Sequence, residues 1–527
     1  MIGARGEAAP DAVRTWIGFA AMCVGMFMSI LDIQVVASSL TNIKTALAIP
    51  TDWLSWIQTS YLIAEVIAIP LTGWLTRSLS LRWLFSGATL GFTLASLACA
   101  GVSSFGPLIV FRVIQGFCGG MLIPSVFTSI FSMMPDKDRV LATTIAGTFA
   151  MIAPTLGPWV GGYLTESFNW HWIFLVNVPV GFVVTMIVVA TIRHGEPRWS
   201  ELGRISYATI VLAAIFLASL ELLLKEAPKR NWQGSFVLIT AIICLLSAGL
   251  TLYQNLNVPN PVADLRRFRD LSFGIGSGLS FVFGMGLYGS VYLLSIFLGF
   301  VRGHSPLVIG EIMMVSGIAQ LLMAPVAAVL ETRVDPRLLT GVGFGMFGLG
   351  LLTNGFADVH TDFWGLFWPQ VLRGMSVMLC ILPATRLALD TCPPEEVPDA
   401  SALFNLMRNL GGAIGIALVD TVLEQRTQGH FMNLATRLQA GDPAAARVVG
   451  LPVSLFHNKW MGPVDPVMRA IVEPMIRKAA LAMSFNEAWL ILAALFALSL
   501  LSIPLMRKAH LTQSLMGPGA SSMRRVF

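Results

Sequence analysis

The chain has 527 residues, 55% hydrophobic and 12% charged, with a mean hydropathy of +0.73 and a formal net charge of +5. A soluble domain carries about twice that charged fraction, so the composition excludes a water-soluble globule and calls for spans in lipid. The scattered cysteines show no CxxC or Cys/His spacing, which points away from a disulfide framework or a zinc site, and a modest positive charge on so apolar a chain reads as membrane topology rather than nucleic-acid binding.

The first residues, "MIGARGEAAPDAVRTW", are polar, and the apolar run after them continues into Asp32 without a small-residue cleavage site. They read as the lead-in to a retained first span, not a cleaved signal. A span takes about 20 mostly apolar residues. Such runs are predicted at 15–41, 53–75, 82–101, 105–132, 140–164, 171–192, 205–224, 234–254, 272–300, 306–329, 337–357, 362–388, 400–424 and 483–506, fourteen in all. An even number places both termini on one side. With the N-terminus inside, inner segments carry most of the basic residues, among them Arg77, Arg82, Lys137, Arg139, Arg266, Arg267 and Arg269, while the short outer loops carry only Lys44, Lys225, Lys229, Arg230 and Arg302. That bias puts both termini in the cytoplasm. The long outer segment 425–481 is exempt from the rule and has amphipathic stretches of its own.

Internal repetition is faint. "FRVIQGFCGGMLIPS" (Phe111–Ser125) and "PQVLRGMSVMLCILPAT" (Pro369–Thr385) share an arginine, a following glycine and a later proline. Two six-span halves with two spans between them would make these helices equivalent, an arrangement that recurs in secondary transporters. The expected organisation is a cytoplasmic N-terminus (1–14), a six-helix bundle (15–192), two additional spans with flanking loops (193–271), a second six-helix bundle (272–507) that includes the outer segment 425–481, and a cytoplasmic tail (508–527).

The fifth span contains "GTFAMIAPTLGPWVGGYL", apolar but with two prolines and four glycines. Gly147, Ala150, Pro154, Pro158 and Gly161 advance by three or four residues, with Gly157 and Gly162 beside them. On a helix they form a stripe that lets another backbone approach closely, while the prolines bend the axis. A static packing face and a moving contact both fit that pattern.

"GPWVGG" (Gly157–Gly162) resembles the antiporter motif of the major facilitator superfamily, and "RVIQGFCGG" (Arg112–Gly120) its fourth-helix motif. "LDIQVVASSL" (Leu31–Leu40), "WHWIFLVNVPVG" (Trp170–Gly181) and "RNLGGAIGIAL" (Arg408–Leu418) are similar to signatures of its fourteen-span drug/proton antiporter branch, the EmrB/QacA-like group. The resemblance runs from about residue 15 to 507. It implies an all-α integral membrane protein with two six-helix bundles plus two extra central spans, in the cell (inner) membrane. It also implies proton-coupled efflux of hydrophobic or amphipathic small molecules by alternating access, driven by the proton gradient with no cofactor, and an envelope adaptor protein as a partner. The chain departs from the pattern at Gln34, Ala37, Thr41 and His171, where the family usually has threonine, asparagine, proline and arginine. In the loop motif after the second span Gly73 and Arg82 fit, but Arg77 replaces the aspartate, so a gate built on that carboxylate is not expected.

Ionisable groups inside spans cost about 2.5–3.5 kcal/mol each on insertion scales and are functional suspects. Asp32, Glu65, Arg112, Glu311, Arg373 and Arg408 qualify by position. Asp32 and Arg112 share a depth, and the resembled fold makes their helices neighbours. They are the expected proton carrier and its positive partner, with Glu65 as a second acid; a permanent structural pair is the alternative. Gln34, Gln115, Tyr292, Gln320 and Asn405 are expected as polar lining of a substrate cavity, with Phe117 and Met151 among its apolar walls; Asn405 also stands to brace Arg408. A dedicated exporter of a lipid, siderophore or metabolite is the second reading. A membrane-embedded enzyme lacks support: there is no HExxH, GxSxG or P-loop, and "GFGMFG" (Gly343–Gly348) lies inside a span, where GxGxxG is a packing pattern.

Overall fold

The structure, a computed structural model, describes residues 12–48, 56–192, 207–257, 265–389, 392–393, 396–456 and 466–506. The helices are α1 (Ala12–Ser38), α2 (Leu40–Ala46), α3 (Trp56–Ala100), α4 (Phe105–Met133), α5 (Arg139–Ser167), α6 (Trp172–Leu175), α7 (Asn177–Thr191) and α8 (Tyr207–Glu226). They continue with α9 (Ser235–Asn257), α10 (Leu271–Ile296), α11 (Pro306–Arg333), α12 (Pro336–Asn354), α13 (Phe363–Leu389), α14 (Val397–Gln439), α15 (Pro443–Val449) and α16 (Pro466–Ser499). The architecture is all-helical, as the apolar periodicity requires.

Among the described residues, eleven helices are long and apolar enough to cross a bilayer, or twelve when the bent α5 is taken as one span. The fourteen predicted spans differ from this count in two further places. The runs 53–75 and 82–101 join in the 45-residue α3, broken at Ser80 (φ 66, ψ 155). At about 1.5 Å per residue, α3 has twice the length needed for the roughly 30 Å of hydrocarbon. The linking sequence "TRSLSLR" has no glycine or proline to end a helix, so a kink at one residue replaces the expected loop. The run 337–357 forms the 19-residue α12, whose ends carry Arg337 and Asn354 and which falls outside the eleven.

The helices pack in two groups with contacts between them. In the first half α3 lies against α4, and α1 against α5 and α7; in the second α10 lies against α14, and α13 against α11 and α12. The halves meet where α5 packs on α11 and where α3 and α4 pack on α14. Helices α8 and α9 pair with each other, and α8 also lies on α3.

The segment after residue 424 is largely helical. α14 runs on to Gln439 and α16 starts at Pro466, so both helices extend beyond their predicted spans. With α15 they share a small core of Leu434, Leu438, Ala445, Ala446, Val449, Phe456 and Ile476. Asp442 caps α15 by accepting from the Ala444 amide, and Arg437 beside it holds its carboxyl below the usual carboxylate range.

Helix α5 changes direction by 50° between Leu141–Pro154 and Trp159–Ser167. Its small residues serve more than one neighbour. A Cβ at Gly147 would lie in ordinary contact with Met378 Sδ of α13 at 3.8 Å, whereas a Cβ at Gly157 would run into Gln34 of α1. Two residues on, the Trp159 backbone receives Gly310 of α11, where an added Cβ would sit 2.5 Å from Trp159 Cα. Gly161 and Gly162 are buried, and the Gly161 carbonyl accepts from Ser39 Oγ at 3.5 Å. Pro154 is buried, and the side chains of Met151 and Pro158 lie outside the described residues. Overfilling such a contact costs about 1–3 kcal/mol. Gly157→Leu is therefore expected to insert but to lose transport by pushing α1 off α5. Normal transport by a stably inserted Gly157→Leu would show that the close approach is dispensable.

Candidate functional site

Arg112, Gln115, Gly116, Gly119 and Gly120 recur at three and four residues along α4 and share one face. The glycines on that face explain the burial of the charge. A Cβ at Gly116 would sit 2.8 Å from Tyr61 Cα, and one at Gly120 would sit 2.5 Å from the Glu65 carbonyl oxygen. α3 therefore lies directly on α4 and seals Arg112 from lipid and water.

Arg112 is wholly buried and Asp32 of α1 is 1% exposed. Arg112 Nη1 donates to Asp32 Oδ2 at 2.5 Å and to Gln115 Oε1 at 2.8 Å, and Nε donates to the Ile57 carbonyl at 3.1 Å. The guanidinium lies 4.4 Å from the Tyr61 ring centroid, and its Nη2 makes no hydrogen bond among the described residues. The other carboxylate oxygen of Asp32 accepts from Asn177 Nδ2 at 2.7 Å and from Gln115 Nε2 at 3.1 Å; Gln115 Nε2 also reaches Ser96 Oγ at 2.6 Å. Four helices, α1, α3, α4 and α7, thus converge on one carboxylate.

A buried charge is costly unless paired and hydrogen-bonded. Here every donor points at the ionised form, and Asp32 has no acceptor to which a proton on it could be given. The arrangement holds Asp32 as an anion while Arg112 stays in place. Moving Arg112 away would leave a carboxylate in a dry site, where the neutral acid is the favoured form.

Glu65 lies one turn from Tyr61 on α3 and is 4% exposed, with no hydrogen bond or ion pair among the described residues. Gln115, expected on a cavity wall, is a ligand of the ion pair instead, because its helical offset of three from Arg112 turns it inward. Phe117 stands with Val110, Val113 and Ile114 on the exposed face of α4, away from Arg112, so the apolar-wall expectation is corrected for this residue. Gln34 is half-buried against α5. Gln320 is buried and its Nε2 has no hydrogen-bond partner among the described residues. Tyr292 donates to Asp420 Oδ1 at 2.6 Å, and Asn405 Oδ1 accepts from Arg408 Nη2 at 2.6 Å. Glu311 is exposed.

The equivalent arginine of the second half, Arg373, donates to Gln370 Oε1 at 3.1 Å, and Gly374 beside it lies on the α11 backbone at Ser316. It sits between the Phe347 and Trp489 rings, 5.8 Å from each, and makes no ion pair among the described residues. The repeat is structural, but among the described residues an acid pairs with this arginine in the first half and not in the second.

The loop motif makes a contact that the sequence reading did not anticipate. Arg77 forms an ion pair with Asp399 in the first turn of α14, and the Asp399 side chain rests against Gly73, where a Cβ has no room. Position 77 holds no carboxylate to build the family's gate, in line with the sequence reading, but a pair exists with its signs exchanged, the cation on α3 and the carboxylate on α14. Arg82 lies 5.0 Å from the Trp83 ring centroid. Asn177, Ser96 and Asp399 were not singled out as site residues. Asn177 lies inside the quoted "WHWIFLVNVPVG", and a lone amide at the start of an apolar run was its signal.

Comparison with known proteins follows the same line. Residues 22–416 match the family model described as Major Facilitator Superfamily. The chain is 37% identical over 424 residues to the colistin resistance protein EmrB of Acinetobacter baumannii, covering 80% of this chain and 83% of that one. It is 28% identical over 478 residues to the multidrug export protein EmrB of Escherichia coli K12, covering 90% and 92%. Among solved structures, the human organic anion transporter MFSD10 (TETRAN) superposes with a TM-score of 0.56 at 12% identity, covering 93% of this chain and 99% of that one, a likeness of fold alone.

Proposed function

The chain belongs to the major facilitator superfamily, and we propose that it expels hydrophobic and amphipathic small molecules in exchange for protons carried by Asp32. It is a multi-pass membrane protein and an EmrB-like multidrug exporter, not an enzyme; it works in lipid on small-molecule cargo. The proton-coupled reading is carried by one observation: a fully buried carboxylate inside the membrane whose ionised form is held by a single removable cation.

The cycle follows from that geometry. With Arg112 in contact, Asp32 is a carboxylate and no proton is bound. When α1 shifts against α3, α4 and α7 as the halves rock and Arg112 parts from Asp32, the acid takes a proton from the outer side. Return of Arg112 on the inward swing expels the proton into the cytoplasm, and cargo moves the other way. The bend in α5 and its tight contacts with α1 and α11 make it the sliding element. The proposed organisation is the one read from sequence: bundles 15–192 and 272–507, two inserted spans within 193–271, both termini cytoplasmic, in the inner membrane. No cofactor enters the scheme. Two helices that run past the bilayer on the outer side, with their own small core, give an envelope adaptor a surface to meet.

The test is transport in proteoliposomes with ethidium as the probe cation. An imposed pH gradient is expected to drive ethidium against its concentration gradient, and a protonophore is expected to abolish this. Uphill movement that survives collapse of the gradient would refute proton exchange.

A further inference from the structure

The second half carries a buried cation that its protein neighbours only partly satisfy. Arg373 of α13 is 4% exposed. Its Nη1 donates to Gln370 Oε1 at 3.1 Å, and that neutral amide is the one polar partner of the guanidinium among the described residues. Arg373 Nε has no hydrogen-bond partner among them, and neither has Nε2 of Gln370, a side chain 1% exposed. The bond between the two residues holds these orphaned donors on adjoining groups. The Phe347 and Trp489 rings, 5.8 Å from the guanidinium, attract the cation but accept no N–H as a carboxylate does. The side chain is also pinned at its stem, because a Cβ at Gly350 of α12 would sit 2.8 Å from Arg373 Cγ.

The surroundings supply donors and no free acid. Asn354 lies one turn from Gly350 on the same face of α12 and is 2% exposed, and its side-chain nitrogen and oxygen both lack partners among the described residues. The carboxylates near the start of α13 and on α16 are engaged elsewhere. Asp362 accepts from Arg302 at 2.6 Å and lies 3.0 Å from His304 Nε2; Glu487 accepts from Arg426 at 2.6 Å and lies 2.9 Å from His430 Nε2. An unpaired charge in a dry site is costly, and an arginine inside a span is held by an anion or by backbone carbonyls. Arg112, at the equivalent place in the first half, shows the partner that suits this position: a carboxylate that also accepts from amide side chains. Arg373 has the amide without the carboxylate.

We propose that Arg373 and Gln370 bind a small monovalent anion of the chloride class, which stands to Arg373 as the Asp32 carboxylate stands to Arg112. The ion accepts from Arg373 Nε and Gln370 Nε2, the two donors left over, and Asn354 adds an orphaned amide on the α12 side. One cation balances one negative charge, so a divalent anion does not suit the site. A halide takes up no proton near neutral pH, so the second arginine keeps its partner whatever happens to Asp32. The site does not depend on how transport is driven, and its test stands apart from the proton-coupled reading.

The experiment is thermal unfolding of the purified full-length protein in detergent at constant ionic strength, with chloride replacing gluconate, an anion too bulky for two donors inside a helix bundle. The wild-type Tm is expected to rise with chloride and saturate, as for a ligand held only by the folded form. Arg373→Met should show no chloride-dependent shift. Gln370→Leu should raise the half-saturating chloride concentration about tenfold, for the loss of one hydrogen bond to a charged group. A wild-type Tm indifferent to chloride would overturn the site, and so would an equal rise in Arg373→Met, which marks a general salt effect. A second measurement needs no change at Arg373. Iodide quenches indole fluorescence on contact, and Trp489 is 1% exposed, out of reach of iodide in solution. Bound iodide is expected to quench a saturable component that chloride restores, and Trp489→Phe should remove that component. A saturable component that survives in Trp489→Phe would put the ion elsewhere and refute this site, as would quenching that never saturates.

Discussion

Asp32→Asn is expected to uncouple the exporter completely. The wild-type steady state follows the gradient: electroneutral one-for-one exchange sustains a concentration ratio of about tenfold per pH unit, since about 1.4 kcal/mol is tenfold in an equilibrium. Asparagine keeps the size of the side chain and one oxygen for Arg112, but it cannot bind or release a proton, so the ratio should fall to about one. Binding should partly survive, because Asp32 is buried among α1, α3, α4 and α7, whereas cargo enters between the halves. Arg112→Ala is a different lesion. It strands a carboxylate in a dry site, a loss of about 3–5 kcal/mol when one partner of a buried pair is removed, so a fall in protein level is expected along with the transport defect. Arg112→Lys keeps the charge but cannot serve Asp32, Gln115 and the Ile57 carbonyl from one planar group, and a partial defect follows. A wild-type ratio in Asp32→Asn would make the pair a permanent brace, which its buried hydrogen bonds also suit, and Glu65 would be the acid to test next.

The fold was legible because lipid leaves few options. An apolar run of about 20 residues in a bilayer is a helix, and the order of motifs from Leu31 to Leu418 carried the family. The Asp32–Arg112 pair was legible for the same reason: a charge inside a span needs a partner. What was not legible depended on helix rotation. Gln115 and Phe117 are two residues apart, hence on opposite sides of α4, and no rule of composition says which faces the ion pair. Asn177 was hidden by being neutral. The break in α3 falls at Ser80, inside the gap predicted between 75 and 82, but it is a kink and not a loop, because Ser80 adopts a positive φ and no glycine or proline ends the helix.

Arg77→Asp is expected to disable transport, and pairing it with Asp399→Arg is expected to restore much of the loss. Arg77 and Asp399 tie α3 to the first turn of α14, the point where the two halves meet at the end assigned to the cytoplasm. A carboxylate suits a helix N-terminus, and Gly73 leaves the space in which Asp399 lies. Glu396, one turn earlier, is held by Arg267. Putting a carboxylate at position 77 would set it against Asp399, a like charge with no cation left to pair it. At an effective dielectric of 20 a pair of unit charges 4 Å apart is worth about 4 kcal/mol. With side chains 40% and 21% exposed, solvent screening brings this to roughly 1 kcal/mol, enough to shift a two-state balance about fivefold. The reversed pair should recover the attraction but not all of the rate, because arginine at 399 is bulkier than the space over Gly73 and carries the wrong sign for a helix start. The measurement is a double-mutant cycle on driven transport at low and high salt. Coupling that weakens with salt marks an electrostatic tie. Additive single and double variants would show that Arg77 and Asp399 act independently and that the exchanged charges do not hold the halves together.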